Sequence, residues 1–130
     1  MRRKQGALVP NEVGVLCAVH RLTKERSSWG VHGYEVVQEA YRAADTSRIA
    51  PPTAATVYRA LKRLETIGAV EATREDTDTA HSEHPGTPPR TYYRLTDLGR
   101  GLLADALHGR SGSAPDWWAT LVPAVRFTVD

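Results

Sequence analysis

The stretch Thr53–Ile67 is closed at both ends by its own neighbours, and this limits how the rest of the chain can be arranged. Pro51-Pro52 prevents any helix from running in from upstream, because proline lacks the amide hydrogen and its ring clashes with the preceding turn. Thr53 is a good N-cap, and Gly68 is placed to end the helix. Between them Val57, Leu61 and Leu64 recur at i, i+4 and i+7, flanked by Ala60 and Ile67, which is the spacing of one helix face. The opposite face carries Ala55, Arg59, Lys62 and Thr66, with Thr56, Tyr58 and Arg63 on its flanks. One face packs; the other presents cations, hydroxyls and small side chains. A basic amphipathic helix taken alone is usually a solvated surface helix, so its neighbours must decide its role.

Upstream, Asn11 is placed to cap a first helix running to about Arg26. Val13, Val15, Leu16, Cys17, Ala18, Val19 and Leu22 make it apolar nearly all round, which predicts burial on more than one side. Ser27-Ser28-Trp29-Gly30 breaks it. A second helix is predicted from Gly33 to Ala44, with Tyr34, Val37 and Tyr41 at helical spacing, followed by a connector from Asp45 to Pro52. Downstream of the third helix, Ala69–Glu75 reads as a strand. Asp76–Arg90 has no apolar periodicity and reads as a loop, and Thr91–Leu95 has strong strand propensity. Thr96 caps a fourth helix whose first-turn Asp97 suits the positive end of the dipole. That helix carries Leu98, Leu102, Leu103 and Leu107 and ends near His108. The predicted fold is mainly α with a small β-hairpin, in the order α-α-α-β-wing-β-α: a winged helix-turn-helix spanning residues 11–108. Residues 1–10 form a basic N-terminal arm with Arg2, Arg3 and Lys4. Residues 109–115 read as a linker, and 116–130 as a short C-terminal tail.

At 130 residues the chain has the size of one domain. It is 41% hydrophobic and 25% charged, with a net charge of +2. This is compatible with a nucleic-acid partner without requiring one. There is no apolar run long enough to cross a bilayer, and the basic start is not followed by the apolar stretch of a secretory signal. The expected location is the cytoplasm, on the nucleoid. The one cysteine, Cys17, excludes an internal disulfide framework and a multi-cysteine zinc site; set among apolar residues, it reads as a small hydrophobe. His20, on the apolar first helix, reads as a partly buried core residue. His81 and His84 stand near Asp76, Asp78 and Glu83, but His-x-x-His in a loop is a weak metal signal, and the expectation is a solvated segment without metal. No nucleophile elbow or phosphate-cradling glycine loop appears, so no enzyme and no cofactor are expected.

With strand, loop and strand following it in order, the third helix becomes a candidate recognition helix. Arg59 is long enough to reach a guanine edge, while Lys62 and Arg63 are placed for phosphates. The segment Thr56-Val57-Tyr58-Arg59-Ala60-Leu61-Lys62-Arg63-Leu64-Glu65, then Gly68, resembles the recognition-helix signature of the PadR family of regulators. Gly33-Tyr34-Glu35 resembles that family's second-helix motif. Arg90-Thr91-Tyr92-Tyr93-Arg94-Leu95-Thr96 with Gly99-Arg100 resembles its second wing strand and the turn that follows. The resemblance implies a homodimeric repressor that binds a palindromic operator on double-stranded DNA and is relieved by a small aromatic effector. It also implies that Tyr58 contacts the DNA backbone. The expected DNA-binding set is Thr53, Ala55, Thr56, Tyr58, Arg59, Lys62, Arg63, Arg74 and Arg90.

Two features depart from the family pattern. The C-terminal region is short, being interrupted by Gly109, Gly112 and Pro115. The wing is acidic, with Glu75, Asp76, Asp78 and Glu83 outnumbering Arg74 and Arg90. An acidic tip is repelled by phosphates, so Arg74 and Arg90 at the wing base are expected to make the wing contact while the tip projects away. Trp117 and Trp118 leave three readings open: closing the core against the first helix, forming a dimer surface, or lining a flat ligand pocket. Leu16, Val19, Leu103 and Leu107 join them as dimer or ligand candidates, because the first and fourth helices carry more apolar surface than a small core needs. The rival to the DNA reading is a winged helix used for protein–protein contact, which the acidic wing and modest charge favour.

Overall fold

The arrangement comes from a computed structural model, which describes residues 8–25, 30–83, 85–86, 88–108 and 116–125. Arg2, Arg3, Lys4, residues 109–115 and His84 lie outside the described residues. The order is α1 (Pro10–Glu25), β1 (Val31–His32), α2 (Gly33–Ser47), α3 (Ala54–Thr66), β2 (Val70–Arg74), α4 (Thr77–Glu83), β3 (Thr91–Leu95), α5 (Asp97–His108) and a 3-10 segment (Ala119–Val125).

The apolar circumference of α1 is enclosed as its sequence requires. Val15, Leu16, Cys17, Ala18 and Val19 have no exposed surface, with α2, α3, α5, β3 and the 3-10 segment packed around them. Proline opens the helix, where its missing N–H would have had no helical partner. Asn11 is not its cap. Glu12 reaches back to accept from the Val9 amide at 3.0 Å, and the Asn11 carboxamide accepts from Trp117 Nε1 at 2.9 Å.

Of the three positions that the sequence periodicity picks out in α2, Val37 is buried and the two tyrosines are not. Val36, Val37, Ala40, Ala43 and Ala44 are buried, whereas Tyr34 and Tyr41 are 59% and 49% exposed. The small side chains bring α2 close to its neighbours, and the tyrosines lie beside the buried stripe. The helix also runs on to Ser47 instead of stopping at Ala44; Arg48, at φ 57°, closes it by donating its N–H to the Ala44 and Asp45 carbonyls. In α3 the local signals suffice. Thr53 Oγ1 accepts from the Thr56 amide at 3.1 Å, Val57, Leu61 and Leu64 are fully buried, and Gly68 takes φ +82°.

Two elements go beyond the predicted hairpin. β1 adds a third antiparallel strand in the order β1-β3-β2, with Val31 opposite Tyr93 and His32 opposite Tyr92. Two residues between Gly30 and Gly33 carry no periodicity; the free edge of β3 recruits them. A two-stranded ribbon is marginal in water, and the third strand with the helices behind it removes that weakness. The second addition is α4, inside the predicted loop. Asp76 Oδ1 accepts from the Thr79 amide at 2.7 Å and starts the helix, while Ala80 is its one buried residue.

The sheet is locked to α5 by a contact at backbone distance. Thr96 caps α5 through the Gly99 amide (3.0 Å), and its own amide donates to the Ala69 carbonyl (3.1 Å). Gly99 is thereby pressed against Ala69 so closely that an added Cβ would overlap the carbonyl oxygen. Backbone cannot yield as a side-chain tip can. Gly99→Ala is therefore expected to destabilise the fold by about 2–3 kcal/mol, at the upper part of the overpacking range, read as a lowered thermal midpoint.

His20, on α1, is half-buried. Burial first, then the positive charges of Lys24 and Arg100, hold its pKa below the ordinary 6.5. The unfolded chain therefore binds more protons than the folded one as pH falls below 6.5, and stability is lost in that direction. Urea denaturation across this window is expected to show a decline toward acid that His20→Gln flattens.

Candidate nucleic-acid interface

The outward face of α3 is assembled as the helical wheel predicts, with one exception. Ala55, Arg59, Lys62 and Thr66 are exposed, and Tyr58 is 44% exposed. The Thr53 and Thr56 hydroxyls bond each other at 2.9 Å, so both threonines already serve the cap. Thr66 turns its hydroxyl back to the Lys62 carbonyl, also at 2.9 Å. Arg63 is the exception. It is half-buried, with Nη1 withdrawn from solvent and without a hydrogen-bond partner among the described residues, unlike the freely presented Arg59 and Lys62.

Tyr58 owes its position to Gly33. Its ring lies across the first residue of α2, where an added Cβ would overlap it. The turn into α2 is closed by Glu35, which accepts from the His32 amide at 3.1 Å. Gly33 thus makes room for Tyr58, and Glu35 fixes the backbone that carries Gly33.

The base of the wing is a closed neck. The Glu75 amide donates to the Arg90 carbonyl at 2.8 Å, and the Arg90 amide donates to Glu75 Oε1 at 3.0 Å. Arg74, opposite Thr91, is exposed at the end of β2, and Arg90 is half-buried on the facing strand's approach. Beyond the neck, α4 carries Asp78, His81 and Glu83 in solvent. Asp76 is held below the usual carboxylate range chiefly by the Thr79 backbone amide and then by its hydroxyl. Among the described residues, Arg59, Lys62, Arg74 and Arg90 have no carboxylate partner. Elsewhere Arg21 and Arg42 pair with Glu39, Arg94 with Glu71, and Arg100 with Asp97.

Between α3 and the wing base lies an open cleft of about 520 Å³. Its walls are His32, Gly33 and Tyr34 from the start of α2, Tyr58 from α3, and Pro88 to Thr91 with Tyr93 from the wing. Burial, then the nearby Glu65 and Tyr58, raise the pKa of Tyr93 and keep it protonated. The sequence places Tyr58 and Arg90 at an interface but gives no sign of His32, Tyr34 or Tyr93 there. Tyr34 is assigned to the apolar stripe of its helix, and the signal against this is the run of small residues on the true stripe.

The candidates for a dimer or ligand surface lie mostly inside the chain. Leu16, Val19 and Leu103 are fully buried, Trp117 and Trp118 are 4% and 2% exposed, and Leu107 is half-buried. The two indoles lie on Gly14 of α1, filling the space that a side chain there would take. Leu98 is the large apolar side chain that α5 leaves in solvent, 52% exposed. No group of three or more potential metal ligands occurs among the described residues, and no helix among them is long and apolar enough to cross a membrane.

No curated protein matches the chain. The family model of the PadR-like transcriptional regulators matches residues 20–105, from within α1 to within α5. That span is more than half of the chain and includes the outward face of α3, the cleft and the whole wing, and on it the chain belongs to the PadR-like family of transcriptional regulators.

Proposed function

We propose that this regulator binds double-stranded DNA sequence-specifically as a homodimer and represses by occupying a promoter. The observation that carries this reading is the set of unpaired cations on adjoining surfaces: Arg59 and Lys62 on the outward face of α3, Arg74 and Arg90 at the wing base. Cations left without carboxylates are free to replace condensed counterions on phosphates, which is the main source of affinity for DNA. In this reading α3 enters the major groove, and Ala55 keeps its first turn slim enough for close approach. Arg59 reads a base edge, and Tyr58, Lys62 and the wing-base arginines hold the backbone. Paired recognition helices of a dimer require a palindromic operator with half-sites about 34–36 Å apart. The burial of Trp117 and Trp118 favours a core-closing role for them, so apolar surface for the dimer falls to the exposed part of α5 around Leu98. A small aromatic effector that alters the dimer angle would release the DNA. The protein would act in the cytoplasm, on the nucleoid.

The acidic α4 favours a second reading, a winged helix that binds another protein. Salt dependence separates the two. A DNA binder loses affinity for random duplex steeply as salt rises, with log K falling by about 0.9 per neutralised phosphate per decade.

Selection of bound sites from random DNA tests the role of Arg59. Arg59→Ala is expected to abolish preference at one base pair at a cost of about 1–3 kcal/mol. Uniform weakening would reassign it to a phosphate. Arg74→Ala with Arg90→Ala is expected to shrink the salt slope by about 2, and an unchanged slope would remove the wing base from the interface.

A further inference from the structure

The cleft between α3 and the wing base has a chemistry that the reading of α3 does not use. Beside His32, Gly33 and Thr91 its walls are tyrosine rings and Pro88-Pro89; no carboxylate lines it, Glu65 acting on Tyr93 from outside the lining, and the guanidinium of Arg90 has no carboxylate partner among the described residues. The hydroxyls of Tyr34, Tyr58 and Tyr93 likewise have no hydrogen-bond partner among the described residues. Tyr93 is kept protonated, so its hydroxyl is a donor. Flat apolar walls with several neutral donors and one cation suit a group that is anionic at one end and hydrocarbon at the other. A volume of about 520 Å³ is far more than a lone phosphate fills, and it gives room for a sugar beside it.

We infer that this cleft seats one sugar-phosphate unit of the DNA backbone, with Tyr34, Tyr93 and Arg90 donating to the phosphate and the aromatic and proline walls packing on the deoxyribose. The inference rests on the DNA-binding reading and extends it to residues outside α3. A DNA strand is the occupant because the cleft is continuous with α3 through Tyr58 and with the wing through Arg90. A strand running beside a helix in the major groove therefore passes over it. The acidic wing gives the same answer from the opposite direction. The Glu75–Arg90 neck marks where the wing turns acidic, with Asp78 and Glu83 beyond it. A strand repelled by the tip has to be held before the neck, and the cleft is the concave, donor-lined surface at that place.

Tyr34→Phe and Tyr93→Phe remove one hydroxyl each and keep the rings, so folding is preserved. Binding is measured by fluorescence anisotropy on the selected site and on a random duplex of equal length. Each substitution is expected to weaken both duplexes by a similar factor, on the order of tenfold for a hydrogen bond to a charged group, with base preference unchanged. A duplex carrying a single neutral methylphosphonate at the contacted position should bind wild type more weakly, and should weaken Tyr34→Phe by a smaller factor, because Arg90 and Tyr93 still hold the phosphate there. Wild-type affinity in both variants, with wild type itself showing a steep salt dependence, overturns the cleft and leaves the DNA reading standing. Weakening confined to the selected site overturns it too, because the cleft would then be reading bases. Benzoate that quenches tyrosine fluorescence without displacing duplex assigns the cleft to a small anion and overturns the inference. Absence of salt-dependent DNA binding in wild type removes both readings together.

Discussion

A helix that is apolar nearly all round must be surrounded, and most of this structure follows from surrounding α1. Each fully buried valine or leucine contributes about 1.5–3 kcal/mol relative to exposure, and α1 supplies Val15, Leu16 and Val19 at full burial, with Val13 and Leu22 close behind. A helix enclosed in this way serves as the common reference for everything packed on it. α2, α3, α5 and β3 each contact α1, so the separation between α3 and the wing is set through α1 as much as through their own contacts. Gly14 extends the logic to the tail: without a side chain on that side, α1 accepts Trp117 and Trp118.

What could be read from the sequence was whatever local chemistry determines. Thr53 and Gly68 bound α3 because a cap hydroxyl and a left-handed glycine act within a few residues, and Thr96 opens α5 for the same reason. β1 was not legible, because two residues become a strand only when β3 offers an edge. α4 was nearly legible, since Asp76 and Thr79 form an N-cap pair, but a single buried alanine gives no period to detect. In α2 large aromatic residues masked a stripe of valine and alanine, and with it the exposure of Tyr34. The tryptophans are open to three readings in the sequence because no local signal marks Gly14 and Asn11, far away in the chain, as their neighbours.

The small net charge hides a partitioned field. Glu39, 5% exposed, sits between Arg21 and Arg42, so its charge is matched on the spot. Glu12 and Glu35 close helix N-termini, and Glu75 and Asp76 build the wing neck and its helix. Carboxylates held in such roles are directed at backbone amides or neighbouring guanidinium groups instead of the face that carries Arg59 and Lys62. A count of +2 over the whole chain averages this away, and the distribution matters more for a charged partner than the sum.

The contact between Gly33 and Tyr58 explains why two motifs far apart in sequence belong to one device. Tyr58 would be an ordinary exposed aromatic if α2 began with any residue bearing a Cβ, and Gly33 would be an ordinary helix start if α3 carried a smaller side chain. Together they hold α3 and α2 at a fixed spacing just where the cleft opens. The rotation of α3 about its axis, which decides whether Arg59 faces outward, is thus constrained twice: by its buried leucines on one side and by a ring seated on glycine on the other. Under the proposed DNA reading α3 needs the second constraint, because leucines alone permit small rotations, and a small rotation moves the tip of an arginine by more than the tolerance of a bidentate hydrogen bond.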